Sequence, residues 1–200
     1  MKWSETHAGV INAASQRFWV AVGDKADTVA IRMNTDPDFV ARLAALAVNP
    51  DSRLLRYFYN FDAKTVANFV ATEKFCPGKT VDGIKVGWLG DNFKEHLLPK
   101  IESDEVAAEE LAVNKLLKSS RDPAIITALG GEEKVEISLG QFWEFLKTAN
   151  QKFWYVAYIR DAGSVLWTVC GYWCDDGWGF SADSLDRPSR WRGGRRFLSR

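Results

Sequence analysis

Five aspartates in the C-terminal part of the chain, Asp161, Asp175, Asp176, Asp183 and Asp186, have the side-chain type best suited to acid–base or metal chemistry. Both jobs need carboxylate oxygens that converge on one point. Nothing in the spacing brings these five together, and Cys174-Asp175-Asp176-Gly177 reads more simply as a polar turn between two strands, because Asp and Gly are what tight turns require. Cys170 and Cys174 are separated by an odd number of residues, so on a strand they share a face, an arrangement that suits a soft metal or a redox pair. No further ligands stand at useful spacing, and the two read as small packing residues. Cys76 makes the cysteine count odd, which fits a reducing compartment better than a disulfide scaffold. His7 and His96 have no cysteine or second histidine at ligand spacing, so neither a zinc site nor a nucleophile–base pair follows. Cys76-Pro77-Gly78-Lys79-Thr80 looks like the tail of a phosphate-binding loop, but Glu73 stands where its first glycine belongs. These readings predict a protein that is not an enzyme and has no metal and no cofactor.

The sharpest charge feature is the tail, where Arg187, Arg190, Arg192, Arg195, Arg196 and Arg200 occur with no acid among them and with Trp191 and Phe197 interleaved. Guanidinium groups beside aromatic rings can bind phosphates and stack on bases. They can equally line the polar face of a closing strand and pair with Asp175, Asp176, Asp183 and Asp186. The chain carries 26 basic and 26 acidic side chains, and this zero balance favours the second reading, since nucleic-acid domains usually carry a basic excess.

The elements that must position these residues follow from pattern. Asp36-Pro37-Asp38 starts a helix with Phe39, Val40, Leu43, Leu46 and Ala47 on one stripe. A second helix is expected over 62–75, a strand-like stretch over 80–89, a short helix from Asp91 toward Leu98, and a third long helix capped by Ser103 and running to Lys118. At Gly130-Gly131 the composition changes from Ala, Leu and Glu to aromatic residues and Gly, and six of the nine tryptophans lie beyond it. Ser138-Leu139-Gly140-Gln141 has capping-box spacing before a helix that ends near Asn150. Strands are expected over 152–160, 165–173 and 178–182, with a last one over 196–199. Residues 16–21 resemble 151–156, a match too short to establish a repeat.

From Lys115 onward the sequence resembles a group of small bacterial proteins of candidate-phyla lineages whose C-terminal segment is similar to the variable region of proteins diversified by retroelements. The residues that carry the resemblance are Trp173, Trp178, Pro188, Trp191, Gly194 and the terminal Ser199-Arg200, which it implies are a fixed scaffold. Between them stand Cys174, Asp175, Asp176, Gly179, Asp183, Arg187, Ser189, Arg190, Arg192, Arg195 and Arg196. Adenine-directed mutagenesis of Asn-type codons yields Asp, Ser, Gly, Cys and Arg, and the resemblance implies that these positions form an exchangeable ligand-binding surface. It also implies a C-type-lectin-like module, here reduced in length.

The resulting expectation is an α+β protein with a mainly helical N-terminal part, residues 1–129, and a Trp-rich C-terminal antiparallel β meander packed on one helix, residues 130–200. Its expected function is recognition of a protein or surface ligand, with nucleic-acid binding through the arginine tail as the alternative and an enzyme built on the Asp cluster ranked last. No run of the sequence is apolar enough to span a membrane and the N-terminus lacks a signal-peptide core, so a cytoplasmic address is expected.

Overall fold

The computed structural model describes residues 53–200. In chain order its elements are β1 (Leu55–Ala63), β2 (Phe69–Val70), α1 (Ala71–Lys74), β3 (Thr80–Val81), β4 (Ile84–Leu89), a π-helical turn (Phe93–Leu97), β5 (Ile101–Glu102), β6 (Glu109–Leu116), α2 (Asp122–Ala128), α3 (Glu132–Val135), α4 (Leu139–Leu146), β7 (Trp154–Arg160), β8 (Leu166–Cys174), β9 (Gly177–Ser184) and β10 (Arg196–Ser199). The expected helix at 36–47, the segment 16–21 and His7 lie outside the described residues.

Eight strands form one mixed sheet in the order β1-β6-β10-β7-β8-β9-β4-β3. β7, β8 and β9 are consecutive and antiparallel, but they are the middle of the sheet and not a separate meander. β10 does not close an edge. It lies between β6 and β7, antiparallel to the first and parallel to the second. β4 joins the other side of the meander by pairing parallel with β9. This close approach needs glycine: a Cβ on Gly177 would stand 2.7 Å from the Gly87 nitrogen. The sheet therefore passes across residue 130 without a break.

The expectation of a mainly helical N-terminal part is overturned for its described residues. The segment after Ser103, rich in Ala, Leu, Glu and Lys, has the composition of a helix but forms β6, which is hydrogen-bonded to β1 on one side and β10 on the other. Its residues alternate accordingly, Leu111 and Val113 entering one face of the sheet and Leu116 the other. Pairing on both edges outweighs a helix preference of a few tenths of a kcal/mol per residue. Over 62–75 the strand β1 persists to Ala63, and only Ala71–Lys74 is helical. Tyr57, Phe58, Tyr59 and Phe61 supply the β preference there. Asn68, with φ +53°, then breaks any helical run before Phe69.

Both faces of the sheet are covered. On the first, α4 buries Phe142, Trp143, Phe145 and Leu146 against Tyr155, Val169, Phe180 and Leu198. Its start is secured twice: Ser138 and Gln141 form the reciprocal capping box, and the Glu102 carboxylate accepts hydrogen bonds from the Leu139 and Gly140 nitrogens at 2.8 and 2.9 Å. On the second face, α2 and α3 bring Ile125, Ile126 and Val135 over Val156, Tyr158, Cys170 and Phe197, with Trp191 from the tail completing the layer.

Candidate functional site

The connection from β9 to β10, residues 185–195, crosses the second face and contains most of the singled-out tail residues. Its midpoint is held by a two-way backbone bridge between Trp191 and Ser120. Beneath it lies Asp122, fully buried, whose Oδ1 accepts hydrogen bonds from the Trp191 indole at 2.8 Å and the Tyr158 hydroxyl at 2.9 Å. Arg187 lies over the Trp191 ring at 3.9 Å, pairs with Asp183 at 2.7 Å and approaches the other Asp122 oxygen at 3.7 Å. Burial raises the pKa of Asp122, and the bonds from Trp191 and Tyr158 and the charge of Arg187 oppose that rise. Burial, reinforced by the Asp122 charge and its hydrogen bond, pushes Tyr158 upward as well. The cluster is a clasp: one carboxylate ties the start of α2, the middle of β7 and the tail together. Sequence reasoning missed Asp122. Its only signal was the Asp-Pro pair, which begins α2 just beyond the stretch expected to be helical as far as Lys118.

The other end of the same face is open among the described residues. Trp154, Tyr172, Gly179 and Trp88 are cross-strand partners in a row over β7, β8, β9 and β4. Trp154 and Tyr172 stack at 4.2 Å with planes 11° apart, and the Arg195 guanidinium covers the outer side of Trp154 at 3.6 Å. Gly179 leaves room for the Tyr172 ring, since a Cβ there would meet that ring and the Cys174 sulfur at 3.3 Å. Trp88 ends the row, 6.4 Å from Tyr172 and 47% exposed. Trp88, Trp154 and Tyr172 were not singled out in sequence, because their meeting depends on register and on β4 joining from a distant part of the chain.

The eleven expected surface positions divide by burial. Asp175, Asp176, Ser189, Arg190 and Arg192 are exposed, Cys174, Asp183, Arg187 and Arg195 are half-buried, and Gly179 and Arg196 are buried. Asp175 and Asp176 form the two-residue turn of the β8–β9 hairpin, with Asp175 at φ +48°. Asp176 pairs with Lys85, which lowers its pKa. Arg196 lies on the α4 side of the sheet over the rings of Phe58 and Phe153. Of the scaffold residues, Trp178 and Trp191 are buried, Trp173 packs edge-to-face on Trp178, Gly194 adopts φ +96°, and Pro188 is exposed.

The carboxylates do not converge. Asp161 is taken up by its own turn and by the Trp167 indole, Asp176 by Lys85 and Asp183 by Arg187. Burial works against ionisation of Asp161, but hydrogen bonds from Val165, Trp167 and Gly163 outweigh it and lower its pKa. Among the described residues no cluster of His, Cys, Asp and Glu is arranged to hold a metal ion. All three cysteines are free thiols; Cys170 is buried, which pushes its pKa up to about 12. His96 stacks on Trp167 at 4.1 Å. Of the acid–arginine pairs expected within the tail region, only Arg187–Asp183 forms among the described residues; Arg200 pairs with Glu109 instead. No described helix is long and apolar enough to cross a membrane.

Comparison of the chain with family models, curated proteins and solved structures gives no match.

Proposed function

We propose that this chain is a recognition protein whose binding surface is the open end of the second sheet face: the hairpin turn at Cys174, Asp175 and Asp176, the loop residues Ser189, Arg190 and Arg192, and the row Arg195, Trp154, Tyr172 and Trp88. One observation carries the reading. Half-exposed aromatic rings capped by a guanidinium, the side-chain types that dominate interface hot spots, stand beside exposed polar residues on turns, while the frame beneath is buried and clasped by Asp122. Side chains on such turns can be exchanged without disturbing the core, which suits the diversified surface that the sequence resemblance implies.

The test is to sequence many natural copies of the gene. Differences concentrated at 174–176 and 189–195, sparing Trp178, Trp191 and Gly194, support an exchangeable recognition surface. Differences scattered evenly over exposed positions of the whole chain would overturn it.

A further inference from the structure

Resting on that reading of the open end as the binding surface, we infer that its ligand is single-stranded nucleic acid, with a base stacked on Trp88 and phosphates held by Arg192 and Arg195. The arginine-rich tail is self-compensating only if its guanidinium groups find carboxylates, and among the described residues two of the six do: Arg187 with Asp183 and Arg200 with Glu109. Arg196 is buried on aromatic rings of the opposite face. Arg190, Arg192 and Arg195 stand without an acid partner among the described residues; burial first, and the charge of Arg192 after it, hold the Arg195 pKa below its usual value. Adjacent like charges with no acid between them are arranged for an anion from outside the chain.

The rings say what the anion is attached to. Trp154 is sandwiched between Arg195 and Tyr172, so among the described residues the row presents one free ring face, at Trp88. There β4 is the sheet edge, because β3 pairs only with Ile84 and Lys85 and no strand stands beyond Trp88 among the described residues. A tryptophan face at one end of a row and guanidinium groups at the other, about three strand spacings or roughly 14 Å apart, supply the two kinds of contact a single strand uses, stacking on a base and pairing with backbone phosphates. A duplex hides its base faces inside the stack, so a ring face that stacks on a base selects the single strand.

The experiment uses the full chain and fluorescence anisotropy of a dye-labelled oligothymidylate of about 20 nucleotides, longer than a usual site. Binding is expected to weaken linearly in log–log terms with salt. Replacing both Arg192 and Arg195 by Ala should reduce that slope by about 1.4. Trp88→Ala should weaken binding roughly 5- to 150-fold and leave the slope unchanged. Melting of each variant at the wild-type temperature secures the comparison, and Arg192→Glu, at an exposed position, gives a second variant that leaves the fold intact and should weaken binding more than Arg192→Ala does. No binding at low salt, binding undiminished in these variants, or equal binding of the duplex overturns the inference. So does a protein partner held at this face that the oligonucleotide does not displace. Clustering of natural differences at 174–176 and 189–195 would in those cases leave the recognition reading standing.

Discussion

The two faces of the sheet solve the same problem by different means. Under α4 the layer is apolar and aromatic, with Phe75, Phe93, Trp143 and Phe180 meeting edge-to-face at 4.9 Å around Phe75 and its neighbours. Under the tail the layer is thinner and is held by a buried carboxylate, two cation–π contacts and a backbone bridge. Dispersion and burial fix the first face without the 185–195 connection. Directional contacts fix the second at a few points and leave the segments between them free to carry other side chains. A binding surface belongs on the second kind of layer.

The comparison is broken first at its strong side. Phe180→Ala should cost about 3–5 kcal/mol, because it empties the point where α1, the π-helical turn and α4 meet, and urea unfolding should show one cooperative transition displaced to lower denaturant. At the clasp, Asp122→Ala should cost about 2–4 kcal/mol, since the buried Trp191 and Tyr158 donors both lose their acceptor. Asp122→Asn keeps an acceptor and should cost less.

The pH dependence sharpens the same contrast. Asp122 has a folded pKa above its unfolded value of about 3.9, so its contribution is fully present below that value and is lost as pH rises through the folded pKa. The stability of the wild type relative to Asp122→Asn should therefore improve on acidification. An unchanged difference from pH 7 to pH 3 would show that the carboxylate is not buried as described. A smaller effect is chemical: a thiol reagent should label the half-exposed Cys76 and Cys174 in the native protein and spare Cys170 until unfolding.

How much of this was legible in the sequence depended on range. The capping box at Ser138 and the strand at 196–199 rest on local chemistry and were readable, whereas the stretch 80–89, expected as one strand-like run, is divided into β3 and β4 by a turn at Asp82-Gly83. β6 was not, because its identity comes from partners some fifty residues earlier and eighty later, which a helix-like composition conceals. Arg196 was read as a surface residue because charge usually means exposure; its stem and guanidinium instead lie on Phe58 and Phe153, which only the register of β10 brings near. The candidate row was half legible. Gly179 and Arg195 stood among the singled-out positions, while Trp88 joins them only through the parallel pairing of β4 with β9.

The most direct test replaces Asp175, Asp176, Ser189, Arg190 and Arg192 together by other polar residues, with Gly or Asn at 175 to suit its positive φ, and compares urea unfolding with that of Trp191→Ala. The fivefold variant should stay within about 1 kcal/mol of the wild type, because each site is exposed, and Trp191→Ala should lose about 3–5 kcal/mol. A fivefold variant as damaged as Trp191→Ala would contradict this expectation, since the open end would then be part of what holds the fold together and not a surface free to change.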